Sequence, residues 1–175
     1  MAIYEFEGYR PSIASGSFIY SEATIIGAVK IGEGCYIGPG ARIRGDWGEI
    51  IIGSYSNIQE NCVIHNRVGG ITALGTRSHI GHGAILHGPM EIGEHVVVGM
   101  GAVIMDGVKI GDGCCVAAGA LIVANTVIPP HKLVVGVPGR VVSDVLPPMK
   151  ERLEKGTVQY MALPQRCFSG LKKLE

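Results

Sequence analysis

A six-residue period runs through most of this chain and leaves few folds open to it. Ile13, Ile19, Ile25, Ile31, Ile37 and Ile43 stand six apart, and after a slip of three residues Ile52, Ile58 and Ile64 resume the series. After a slip of four, it runs unbroken through Leu74, Ile80, Leu86, Ile92, Val98, Ile104, Ile110, Val116, Ile122, Ile128 and Val134. All twenty lead positions are Ile, Leu or Val. Gly follows the lead at 32, 38, 53, 75, 81, 93, 99 and 111, and a small residue such as Ala23, Cys35, Ser56 or Ala84 usually stands four after it. A large aliphatic pointing inward, a Gly tolerant of unusual backbone angles and a small corner residue make a short strand and a tight turn. Repeated, this is the hexapeptide pattern of a parallel β-solenoid, stacked strand on strand.

The repeat accounts for an unusual composition. Glycine supplies 27 of 175 residues, about 15 %, twice the usual share of about 7 %. No Gly recurs every third position, which excludes collagen, and 47 % apolar content opposes disorder. Fifteen basic and fifteen acidic residues cancel, so no basic stripe is available for nucleic acid. No apolar run is long enough for a membrane helix. The first ten residues, with Glu5 and Glu7, lack the basic start and apolar stretch of a secretory leader. Five cysteines without a CxxC pair read as reduced thiols, so a cytoplasmic location is expected. Cys35, Cys62 and Cys114 fall in the small slot and read as packing; Cys115 and Cys167 have no assigned role.

Twenty hexads at three per coil predict six to seven coils. The expected fold is an all-β solenoid over residues 1–136 with a C-terminal α-helical tail over 137–175. In the tail, Pro147-Pro148 opens a charged stretch that ends at Gly156. Thr157 is then expected to cap a second helix, bent at Pro164, with Tyr160, Leu163, Cys167, Phe168 and Leu171 docking on the prism.

The register places side chains on faces. With both slips read as loops at corners, Ile43, Ile64 and Leu86 lie one above another, about 4.8 Å apart along the axis. The residues after them, Arg44, His65 and His87, then form an outward column where Gly is the norm. Two imidazoles one coil apart suit a shared metal ion. His82 falls one face earlier, across a corner, and would join the pair only from a neighbouring prism of a threefold assembly. Three imidazoles and an open position describe a catalytic zinc site. His79, His95 and His131 sit elsewhere in the hexad and read as ordinary surface positions.

Arg44-Gly45-Asp46, Asn57-Ile58-Gln59-Glu60-Asn61, Ile64-His65 and Ile80-Gly81-His82-Gly83-Ala84-Ile85-Leu86-His87-Gly88 resemble the γ-class carbonic anhydrase family. Met105-Asp106-Gly107 and the tail Gln159-Tyr160 … Arg166-Cys167 resemble its phenylacetate-degradation and carnitine-operon branch. The resemblance covers essentially the whole chain. It implies a left-handed β-helix and a homotrimer with Zn2+ (or Fe2+ or Co2+) at each subunit interface, held by His65 and His87 of one subunit and His82 of the next. Arg44 and Asp46 match the family's interface ion pair. Gln59 matches the residue that hydrogen-bonds the metal-bound water, Asn57 a further polar residue near the site, and Glu60 an acidic position beside His82. Tyr160 aligns with a tail tyrosine near the active site.

The implied chemistry is attack of metal-bound hydroxide on CO2 to give bicarbonate. Asn66-Arg67-Val68-Gly69-Gly70 carries none of the family's proton-shuttling glutamates, and Trp47 stands where an acid is usual, which implies slow proton transfer and weak hydration. Hydrolysis of an acyl-CoA thioester at the same centre is the alternative reading. A hexapeptide acyltransferase, which needs a single general-base His, and a non-catalytic trimeric scaffold rank below both.

Overall fold

A computed structural model of the chain describes residues 2–174. The hexads build a parallel β-solenoid. One face stacks seven parallel strands, Phe18–Ile19, Tyr36–Ile37, Asn57–Ile58, His79–Ile80, Val97–Val98, Cys115–Val116 and Lys132–Val135. A second sheet wraps the other two faces. Face two carries Val63–Asn66, Ile85–Gly88, Val103–Ile104 and Leu121–Ile122, and face three carries Ile71–Leu74, Met90–Ile92, Val108–Ile110 and Val127–Ile128. Thr24–Ile31 and Arg42–Ile52 run unbroken around the corner joining them.

The leads form the core. Eighteen of the twenty are 0–4 % exposed, and only Ile13 and Ile19, at the open first coil, are partly covered. Burial of each such side chain is worth about 1.5–3 kcal/mol. The small slot is filled as the sequence implies, and its serines bind backbone: Ser56 Oγ donates to Gly75 O at 3.1 Å and Ser78 Oγ to Gly93 O at 3.0 Å. All five cysteines are free and buried. Burial raises the Cys35, Cys114 and Cys115 thiols and pushes Cys62 up to about 11.

Two expectations need correction. None of the eight slot glycines has a positive φ. A Cβ at any of them would lie under 3.0 Å from atoms of the next coil, mostly backbone. Close stacking of coils, not backbone freedom, selects Gly there. The tail is one helix, α1 (Pro147–Gly170), that passes through both Gly156 and Pro164. Thr157 caps nothing; it is buried and its hydroxyl donates to Leu153 O at 3.1 Å. Docking supplies what local propensity lacks, since an interior Gly costs only about 1 kcal/mol and an interior Pro about 3.

α1 runs back along face one from the last coils to the first. Glu154 reaches His95, Tyr160 stands edge-on to His79 at 4.8 Å, and Phe168 packs edge-on to Phe18 at 5.2 Å. Cys167 is covered within the docked helix, while Leu171 at its end is half exposed. Before α1, Arg140–Asp144 pairs antiparallel with Lys132–Val135 and closes the last coil. Among the described residues no helix is long and apolar enough to cross a membrane.

Candidate active site

Both slips lie at the corner between faces two and three. Gly27 pairs with Gly45, 18 residues on, but Val29 pairs with Ile50, 21 on, so three residues are inserted around Asp46-Trp47-Gly48. The second insertion forms the loop over residues 67–70. Gly69 N donates to Trp47 O at 2.7 Å and Glu49 N to Gly70 O at 2.9 Å, so the two insertions stack. Where most coils turn directly after the lead, Val63–Asn66, in the coil with the second insertion, continues for two further residues. Ile85–Gly88, paired with it residue for residue, does the same though its own coil carries no insertion. By the two-residue alternation of a strand, the residue after the lead then faces outward. His65 and His87 use that freedom.

The column expected from the register is present. Arg44 pairs with His65, and His65 with His87. The two imidazole rings are 5.8 Å apart, and the Trp47 ring lies 5.2 Å from that of His65. Asp46 Oδ1 and Arg44 Nη2 both approach His65 Nε2 at 3.0 Å, and Arg44 Nε is 3.6 Å from Asp46 Oδ2. The carboxylate needs a proton on that nitrogen and the guanidinium needs a lone pair, so only one of these bonds forms at a time. A groove of about 460 Å³ extends from Asp46 and Trp47 past Gly69 and Gly70 to Tyr9 and Lys30.

The other predicted residues gather elsewhere, at the edge of face one. His82 is half exposed at the turn into face two, its Nδ1 against Glu60 Oε2. That oxygen is buried and makes no well-directed hydrogen bond, while Glu60 Oε1 accepts from the Tyr36 hydroxyl at 3.0 Å. Burial, then the Glu60 charge, raises the Tyr36 phenol far above its ordinary value. Gln59 and Asn57 are 1 % exposed. Gln59 Nε2 donates to Asn57 Oδ1 at 2.9 Å, and Gln59 Oε1 accepts from the His82 backbone N–H at 3.2 Å. The Tyr160 ring of α1 covers this group, 5.9 Å from Tyr36.

His79 departs from its expected place on the surface. It pairs with Asn57 in the ladder, contacts Gln59 through Nε2, and lies beneath Tyr160. Burial, with His82 adding charge repulsion, pushes its pKa down to about 4. The hexad shows that His79 faces outward but not that α1 covers face one. The usable signal was its register next to Asn57. Tyr36, one coil below Asn57, was missed for the same reason.

The nine predicted residues therefore fall into two groups. Arg44, Asp46, His65 and His87 share one corner; Asn57, Gln59, Glu60, His82 and Tyr160 share another. Among the described residues of one chain, no three His, Cys, Asp or Glu side chains converge as a metal site. A second cavity of about 460 Å³, under the first turns of α1, is lined by His95, Asp112, His131, Lys150 and Glu154 and includes none of the nine.

Comparison with known proteins places this architecture. The bacterial transferase hexapeptide (six repeats) pattern matches residues 10–45 and 89–124. The carnitine operon protein CaiE of Citrobacter koseri is 40 % identical over 171 residues, covering 98 % of this chain and 86 % of the relative. The chain belongs to the hexapeptide-repeat family that includes CaiE. CaiE of Escherichia coli O7:K1 is 39 % identical to this hexapeptide-repeat protein, over all of its chain and 89 % of the relative. Among solved structures, a hexapeptide transferase family protein from Anaplasma phagocytophilum superposes with a TM-score of 0.89 at 34 % identity, over 94 % and 96 % of the two chains. The BC4754 gene product of Bacillus cereus, provisionally described as an acetyltransferase, gives 0.92 at 33 % identity, over 96 % and 97 %.

Proposed function

We propose that this hexapeptide-repeat protein is a metal-dependent, γ-carbonic anhydrase-like enzyme that hydrates CO2 reversibly, working as a homotrimer. The observation that carries the reading is the outward pair His65 and His87, stacked one coil apart. Two rings bound to one tetrahedral ion at about 2.0–2.1 Å have centroids roughly 5 Å apart; these stand at 5.8 Å. The donor set therefore fits Zn2+, with Fe2+ or Co2+ as alternatives. His82, half exposed with its Nδ1 beside Glu60, would supply the third ligand to a neighbouring subunit. When bound, the ion supplies Lewis-acid activation of water near neutral pH.

The remaining roles belong to the chain. Glu60 orients the His82 ring, as carboxylates do for ligating histidines. Asp46 and Arg44 occupy His65 Nε2 in the isolated chain. Metal loading requires them to turn to other partners, and an Arg44–Asp46 pair across the subunit interface provides these. Val63 and Ile85 stand outward on face two, beside the histidine column, and are more than a third exposed; they supply apolar surface for that interface. Asn57 and Gln59 are buried and bonded to one another, with Gln59 Oε1 on the His82 N–H, so they support the His82 corner from beneath, and Tyr160 covers them from α1.

A second reading, hydrolysis of an acyl-CoA thioester at the same centre, is favoured by the groove beside Trp47. Its volume is in the range of small-molecule pockets and exceeds what a three-atom substrate needs. The test is metal analysis of the purified protein, followed by stopped-flow CO2 hydration and an acyl-CoA panel on loaded and chelator-stripped protein. About one ion per chain and activity lost with the metal are expected. Full activity in stripped protein, or a monomer in light scattering, would overturn both readings.

A further inference from the structure

His79 lies partly buried beneath Tyr160, yet the proposed chemistry gives it no task. The hydrogen-bond accounting around Gln59 supplies one. At the corner after Ile80, coil-to-coil backbone bonds are made on either side of His82: Gln59 N donates to Ile80 O at 3.0 Å, and Gly83 N to Glu60 O at 2.8 Å. Between them the His82 N–H is met instead by a side-chain atom, Gln59 Oε1, at 3.2 Å. A backbone N–H can only donate. The carbonyl end of the Gln59 amide is therefore directed at His82, and its NH2 end must point the other way.

That NH2 group carries two hydrogens and lies where solvent does not reach. One goes to Asn57 Oδ1 at 2.9 Å, and the other to His79 Nε2. His79 Nε2 must then be a lone pair, which places the ring proton on Nδ1. Nδ1–H then faces Asn57 Nδ2, also a donor, at 3.3 Å, so that contact is not a hydrogen bond. Both ring nitrogens face amide donors, and the closer one, from Gln59, takes the lone pair. An imidazolium would set N–H groups against amide donors on both sides, so the network as well as burial excludes the charged ring.

We propose that His79 is a positioning residue: its Nε2 accepts the second Gln59 amide hydrogen, fixing the amide that holds the His82 corner. The inference rests on the preceding reading only for the functional importance of His82. Without that acceptor, a buried Gln59 N–H has no partner, and the amide loses the preference that keeps Oε1 on His82 N.

Two substitutions separate this role from packing. His79→Phe keeps a ring under Tyr160 and removes the acceptor. His79→Gln gives up the ring and returns an acceptor near the Nε2 position. Expected for His79→Phe are faster amide hydrogen exchange at His82 and a fall of about 10–100-fold in kcat or metal affinity, with KM little changed, as for loss of an outer-shell partner. His79→Gln is expected to rescue most of both losses. Nitrogen-15 spectra of the wild-type ring should show Nε2 unprotonated at neutral pH. Rescue by Phe rather than Gln, equal behaviour of the two variants, or a proton on Nε2 would each overturn the proposal. The exchange and tautomer measurements need neither metal nor turnover. A wild-type protein that binds no metal would therefore end the functional reading while leaving this inference testable.

Discussion

The two corners that carry the site residues are built by opposite means. At the corner between faces two and three, strands run on past their leads, in two coils around inserted residues, and His65 and His87 are turned outward. At the edge of face one the coil turns at once, and Asn57, Gln59 and His79 are enclosed beneath α1. The first corner presents its imidazoles outward, with His65 Nε2 held by Asp46 and Arg44. The second binds most of its polar groups internally, leaves Glu60 Oε2 to the His82 ring alone, and presents His82 outward. On the proposed reading each corner is half of a site, and threefold symmetry would be the economical way to bring unlike halves of identical chains together.

The largest expected effect tests that complementarity. His65→Ala or His82→Ala should each remove the bound metal and lower CO2 hydration by more than about 100-fold, beyond the loss typical of an outer partner. Co-refolding the two variants should recover roughly a quarter of the sites, because random mixing pairs an intact half of each kind once in four. No recovery would place all three ligands within one chain.

Next is the pH dependence that the enclosed corner imposes. His79 has its folded pKa pushed down to about 4 from an ordinary 6.5, so the unfolded chain binds more protons between those values. Stability is then complete above about pH 6.5 and is lost as pH falls towards 4, by up to about 3 kcal/mol. His79→Gln should flatten that limb of a denaturation series.

A smaller effect separates turning from continuing strands. Gly75→Ala sets a Cβ 2.5 Å from the carbonyl carbon of Gly93 and should cost about 1–3 kcal/mol in chemical denaturation. His65→Ala, at the same hexad position on a strand that runs on, should cost less. The smallest concerns the cover. Nothing lies within 4 Å of a Cβ on Gly156, so Gly156→Ala should stabilise α1 by up to about 1 kcal/mol, read as a rise in Tm.

The histidine column was legible because a solenoid turns sequence distance into spatial distance: residues one coil apart are neighbours, and counting hexads across two slips suffices. Arg44, His65 and His87 were placed that way, and the ladder pairs them. His79 and Tyr36 escaped because periodicity shows which residues face out, not which face a distant segment covers. The glycine slot was located correctly for the wrong reason, since a sequence does not display the separation between coils.

The sequence by itself determined the parallel solenoid, its buried leads and the two histidines that break the glycine rule. Each of these depends on local alternation repeated at a fixed length. Tertiary structure alone decided that α1 runs unbroken through Gly156 and Pro164 and seals Gln59 and His79 under Tyr160. Docking of a remote helix outweighs local propensity, and no repeat records where that helix lands.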